Sequence, residues 1–203
     1  MERYMMILKS IKRMNPELEQ ALRANVYPVH LRKDEVLQSP GTLNNNLYFI
    51  EKGLFHYFGY QQSHKMTLAF RWEDQFIITL KEVYGDKTGP CDGIEALEDS
   101  TVWCIAGDLS EELIEKYPRF CFQFREILDR ELVAVRNVYR CSHPAGGLEN
   151  LKNLRSRFPL LAHRVPLHYL ANLTSIPEKK LKHLLDSRIE LHTDLKRRRR
   201  GRH

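Results

Sequence analysis

Leu47-Tyr48-Phe49-Ile50-Glu51-Lys52-Gly53 opens with four apolar or aromatic residues and closes on a glycine, the composition of a short strand that runs into a turn. Segments of the same kind lie on both sides of it. Upstream are Tyr27 to Leu31 and Glu35 to Gln38. Downstream are Leu54 to Tyr60, Lys65 to Arg71, Gln75 to Thr79, Ile94 to Leu97 and Thr101 to Ile105, all rich in Val, Ile, Tyr, Phe and Trp. Pro40-Gly41, Asn44-Asn45-Asn46, Gly85-Asp86 and Thr88-Gly89-Pro90 punctuate them. Strands this short and this evenly spaced predict an antiparallel β-roll or sandwich rather than alternating β and α units.

Helical signals flank the strands. Asn15-Pro16-Glu17, followed by Leu18, Ala21 and Leu22, predicts a short amphipathic helix with Asn15 as N-cap and Pro16 at its first position. The preceding residues, Met1 to Lys9, offer only a brief apolar cluster, too short for a signal segment or a membrane span. Asp108-Leu109-Ser110-Glu111 has the form of a capping box and marks the end of the strand region. From about residue 118 to Cys141 a long helix is expected, with an apolar seam at Phe124, Leu128, Leu132, Val135 and Tyr139, widened by Ile127, Ala134 and Val138. That seam could cover the roll or pair with a second copy; its length favours a homodimer.

Ser142-His143-Pro144-Ala145-Gly146-Gly147 then breaks the helix. The organisation that follows is a β-roll domain with its long helix over 1–141, a helical domain over 148–195 and a basic tail over 196–203. Within the helical domain, Leu148 to Phe158, Leu167 to Leu173 and Glu178 to Leu185 are the helix candidates.

Charge divides the same way. Residues 1–140 carry 18 Lys/Arg against 21 Asp/Glu, and residues 141–203 carry 14 against 5. A basic back end on an acidic front is the asymmetry of a chain that meets a polyanion at one end, although Lys196 to Arg202 supplies much of it. With 42% hydrophobic and 29% charged residues, neither disorder nor a membrane protein is indicated, and the expected compartment is the cytoplasm. Cys91, Cys104, Cys121 and Cys141 form no C-x-x-C pair and read as free thiols. The His residues are scattered, which speaks against a metal-dependent cupin. No P-loop, G-x-S-x-G or G-x-G-x-x-G occurs, so no enzyme, metal or cofactor is expected.

Val165 to Leu184 has the spacing of a helix-turn-helix. Ala171 is small where two helices cross, and Leu170, Ile176, Leu181 and Leu184 would form the core between them. Pro177 suits the first turn of the second helix. That second helix carries Lys179, Lys180, Lys182 and His183, a basic face able to meet phosphates or enter a major groove, with Ser175 at the turn.

In order and spacing these motifs resemble the Crp/Fnr family of transcriptional regulators over nearly all of residues 15–185. Leu47 to Gly53 is similar to the family's strand and Gly turn, and Glu95-Ala96-Leu97-Glu98-Asp99-Ser100 to a later strand and turn. The long helix, the break and Arg164-Val165-Pro166-Leu167 follow in sequence. The resemblance implies an α+β protein: a cyclic-nucleotide-binding-like antiparallel jelly roll, a long dimerisation helix and a C-terminal winged-helix-like helix-turn-helix. It implies double-stranded DNA and a second copy as partners, an unidentified small-molecule effector at most, and no membrane.

Two departures carry expectations of their own. Nucleotide-binding members hold the cyclic phosphate with Gly-Glu and Arg-Ser/Thr-Ala, whereas this chain has Thr79-Leu80-Lys81-Glu82 and Pro90-Cys91-Asp92 there, so cyclic AMP is not expected to bind. Related regulators also have Gly at the turn and a Glu-x-x-Ser-Arg type run on the second helix. The Lys-rich run here suits phosphate contact better than base reading, and leaves open a roll that binds a ligand or a protein and a helix-turn-helix that no longer reads DNA specifically.

Overall fold

The computed structural model describes residues 1–42, 45–61, 64–78, 93–142 and 147–185, and the chain divides into two compact units, Met1–Asn137 and Val138–His203.

The first unit holds eight described strands in two antiparallel sheets: β1 (Tyr27–Leu31), β2 (Val36–Gln38), β3 (Leu47–Lys52), β4 (Leu54–Gln61), β5 (His64–Trp72), β6 (Phe76–Ile78), β7 (Gly93–Ala96) and β8 (Ser100–Ile105). One sheet has the order β1-β8-β3-β6 and the other β2-β7-β4-β5. Consecutive strands repeatedly fall in different sheets, as a jelly roll requires. All eight strand segments expected from the sequence are present, with bounds shifted by a residue or so.

Strand β3 is central in its sheet, between β8 and β6, and both its faces are covered. Tyr48 and Ile50 point between the sheets, with Leu31, Phe55, Ile77, Ile94, Ala96, Val102 and Cys104. Leu47 and Phe49 point outward, where helices pack on them. This explains an unbroken apolar run where a half-exposed strand would alternate. The backbone then turns at Gly53, whose φ of +120° only glycine adopts readily.

The covering helices are α1 (Glu2–Ile11), α2 (Pro16–Asn25), α3 (Gly107–Lys116) and the start of α4 (Pro118–Ser142). Their buried residues, among them Tyr4, Met5, Leu8, Leu18, Leu22, Leu113, Phe120 and Ile127, join Leu47, Phe49, Phe76 and Ile105 in one cluster. Phe49 lies 5.4 Å from the ring of Tyr4 and 5.3 Å from that of Phe76. Each such pair contributes about 0.5–1.5 kcal/mol beyond its area burial.

Helix α1 is a departure from the sequence expectation of a mere apolar cluster. Tyr4, Met5, Leu8 and Ile11 are spaced to make one helical face, and that face finds the outer surface of the sheet. Two expected caps also differ. Asn15 is the N-cap of α2, but its side chain makes no capping bond. Asp108 lies inside α3 rather than before it, because the helix starts at Gly107 with Ala106 as N-cap, and Ser110 Oγ donates back to the Gly107 carbonyl. Among the described cysteines Cys104 is buried and Cys121 exposed, both as free thiols.

The second unit contains α5 (Gly147–Arg157), α6 (Leu161–Arg164), α7 (Leu167–Thr174) and a helical stretch over residues 178–185. The single turn α6 was not anticipated. Among the described residues of this unit, Leu151, Leu154, Leu161, Val165, Leu170, Leu173, Ile176 and Leu181 are the buried large apolar ones.

Candidate nucleic-acid interface

Helix α7 ends where the chain must reverse, and Ser175 makes the turn with φ 57° and ψ 32°, a left-handed conformation. Its N–H donates to the Asn172 carbonyl at 3.3 Å, and the next N–H, of Ile176, donates to the Ala171 carbonyl at 3.2 Å. Together these close a Schellman motif, with Ile176 folded into the core behind it. Thr174 Oγ1 donates to the Leu170 carbonyl at 2.7 Å, tying off the last turn.

The second helix then begins, and the Leu181 N–H donates to the Pro177 carbonyl at 2.9 Å. Leu181 is fully buried, while Glu178, Lys179, Lys180, Lys182 and His183 are exposed. At about 100° per residue, Lys179, Lys180, Lys182 and His183 occupy an arc of roughly 160° centred opposite Leu181. One buried leucine thus sets which way four basic or titratable side chains face. Leu184, expected in the core, is half-buried, as is Ala171.

A contact that the sequence did not reveal supports the turn from behind. A methyl group at Gly147, the first residue of α5, would come within 2.5 Å of Ile176 Cγ1 and 3.3 Å of the Thr174 carbonyl. Glycine lets α5 start directly on the helix-turn-helix. Between Gly147, Leu148 and Glu149 on one side and Ser175, Ile176, Pro177 and Lys180 on the other lies an open cavity of about 430 Å³.

The residues of the expected seam on α4 have separate environments. Phe124 packs against the core of the first unit, Leu128 is half-buried, and Leu132 is 70% exposed beside Val133 at 56%. The side chains of Val135 and Tyr139 lie outside the described residues, as do Thr79 to Asp92 and the basic tail.

The first unit holds buried polar groups that no local sequence signal announced. The His56 ring is fully buried in β4, with Nδ1 2.9 Å from Glu95 Oε1 and Nε2 3.1 Å from Thr67 Oγ1. It stacks on Phe70, and Lys65 donates to the other oxygen of Glu95. Arg71 of β5, with 3% of its side chain exposed, donates from Nε to Glu131 Oε2 of α4 at 2.8 Å and from Nη1 to the Phe70 carbonyl. Burial holds the Glu131 carboxyl above its usual range, against the opposing pull of the Arg71 guanidinium. Among the described residues, no group of three or more His, Cys, Asp or Glu is placed to hold a metal ion, and no helix is long and apolar enough to cross a membrane.

Solved structures of the same fold span most of the chain. The FixK2 protein of Bradyrhizobium japonicum is 13% identical, with 83% of this chain and 85% of that one covered at a TM-score of 0.66. The c-di-GMP responsive global regulator CLP of Xanthomonas campestris is 14% identical, with 89% and 93% covered at 0.62. A protein of Eubacterium rectale assigned to the crp/fnr family of transcriptional regulators is 12% identical, with 87% and 85% covered at 0.63. No protein-family profile matches the sequence, and no curated protein matches it significantly.

Proposed function

We propose that this chain, whose fold is that of the Crp/Fnr-type regulators, is a homodimeric, DNA-binding transcriptional regulator of the cytoplasm with no catalytic role. The observation that carries this reading is the exposed arc of Lys179, Lys180, Lys182 and His183, held opposite Leu181 by a turn closed at Ser175. A helix presented in this way suits the major groove, where its ammonium groups neutralise phosphates and His183 is available to a base edge.

Dimerisation is supported by Leu132 and Val133, two large apolar side chains side by side in solvent on α4. A homodimer that reads DNA through both second helices would have to meet half-sites about 34 Å apart. Cyclic AMP is not the effector in this reading, because Lys81-Glu82 and Pro90-Cys91-Asp92 replace the phosphate-holding residues of nucleotide-binding members. Calorimetry on the purified protein should detect no micromolar binding of it.

One observation favours a second reading. The described part of the second helix, 178–185, exposes no Arg, Asn or Gln, whose planar forks read base edges by paired bonds, and leaves Lys, which acts mainly as a point charge. A roll that binds a ligand or partner protein, with a helix-turn-helix that no longer selects sequence, would look the same.

Fluorescence anisotropy of duplex DNA at several salt concentrations separates the two. Replacing Lys180 and Lys182 by Ala removes four ammonium groups per dimer, which should flatten the slope of log affinity against log salt by about 3 to 4. Steep salt dependence that persists in a chain ending at Leu195 places binding outside the basic tail. An unchanged slope in the double variant would take the second helix out of the interface.

A further inference from the structure

Helix α4 is attached to the roll in two chemically different ways. Up to Ile127 the attachment is uncharged and tightly built: Phe120, Gln123 and Ile127 are fully buried. Gln123 Nε2 also donates to the Leu8 and Lys12 carbonyls at 2.8 Å each, satisfying acceptors at the end of α1. Beyond Ile127 the character changes. Residues 128–134 are half-buried or exposed, and Leu132 and Val133 are largely exposed, whereas only 18% of the Glu131 side chain is exposed. What this stretch does have is Glu131, bonded to the buried Arg71 at 2.8 Å.

We infer that the Arg71–Glu131 ion pair is a releasable latch that fixes the part of α4 beyond Ile127 against the roll. The energetics suit a latch better than a rivet. Removing two charges from water consumes most of what their attraction returns, so a buried pair sets geometry more than it adds stability. Glu131 shows that balance: burial outweighs Arg71 in setting its carboxyl. The guanidinium is further placed by the Phe70 carbonyl and lies 5.3 Å from the centre of the Tyr57 ring, so a shift in β4 or β5 reaches α4 through one bond. An element whose docked and released states are close in energy is what a sensor needs to move a helix. The latch goes beyond the DNA-binding reading and does not depend on it.

Hydrogen–deuterium exchange on the full chain without DNA tests the latch through Glu131→Gln, which keeps an acceptor but not the charge, and Arg71→Met, which removes the buried cation. Each should speed exchange in peptides covering 128–136 roughly tenfold, with 118–127 and the strands unchanged. The double variant should be no faster than either single one, since both remove the same ion pair. Unchanged exchange in 128–136, acceleration spread over the whole unit, or additive effects in the double variant would each overturn the inference.

Discussion

Replacing Gly53 by Ala should be among the most damaging single changes to the roll, and its cost can be assembled from the structure. The residue sits at φ +120°, and a methyl group there would lie 2.0 Å from Ser100 Oγ, 2.5 Å from Ser100 Cβ and 2.9 Å from Ser100 Cα. A non-glycine residue in such a conformation costs about 1–3 kcal/mol. Forcing a methyl into an occupied site costs about 1–3 kcal/mol more, and contact with backbone allows little relief. The total, roughly 2–6 kcal/mol, is a large part of the ~5–15 kcal/mol that holds a domain folded. Gly41 supplies the control, because its φ is +79° but its added methyl would meet nothing within 4 Å. Gly41→Ala should therefore show the conformational cost alone. Trp72 and Trp103, the chain's two tryptophans, both lie in the roll, so tryptophan fluorescence during urea unfolding reports this unit. A cost for Gly53→Ala no greater than that for Gly41→Ala would refute a clash with Ser100. A Gly53→Ala, Ser100→Gly double variant should recover part of the loss but not all, since Ser100 Cα stays in place.

Other outcomes follow from the same structure. Ser175→Gly should stabilise the helical unit by about 0.5–1 kcal/mol, the left-handed penalty of ~1–2 less the chain entropy of glycine at ~0.5–1. Ser175→Ala should be near neutral, as thermal unfolding followed by circular dichroism would show. Phe49→Ala should cost about 3–5 kcal/mol in urea unfolding, because the ring is fully buried between Tyr4 and Phe76. If the proposed dimer forms through α4, changing Leu132 and Val133 to Asp should leave only monomer in sedimentation equilibrium and make the tryptophan-monitored transition independent of protein concentration. The Glu131 carboxyl is raised in the fold above its unfolded value of 4.5, so the folded state gains its proton first as pH falls. That contribution is fully present below 4.5 and is lost as pH rises through the raised value. Wild type should thus gain stability relative to Glu131→Gln on acidification from neutral pH towards 4.5, and a constant difference would count against the shift.

The roll was legible because its strands are short, aromatic and β-branched, and because glycine and proline mark several of the turns, as Lys52-Gly53 does before β4. The long helix was legible for the opposite reason, a stretch free of both residues. Helix α1 was missed because an apolar face of three turns, standing alone, differs little from a cluster; only the sheet beneath Tyr4, Met5 and Leu8 gives it meaning. The exposed face of the second helix could be read from Leu181, since one buried position fixes the rest by periodicity. The polar interior could not. His56 and Glu95 are 39 residues apart and Arg71 and Glu131 are 60 apart, on elements that only the tertiary fold brings together. In the sequence Gly147 reads only as a helix breaker, and its close approach to Ile176 likewise depends on packing across the unit.

The measurement that bears most directly on the account is selection of bound sequences from a random duplex pool by the full chain. A two-fold dimer reading DNA through its second helices predicts enrichment of an inverted repeat with half-sites about 10 base pairs apart, and loss of that enrichment when Lys180 and Lys182 become Ala. A pool whose sequences are unchanged after selection would contradict it.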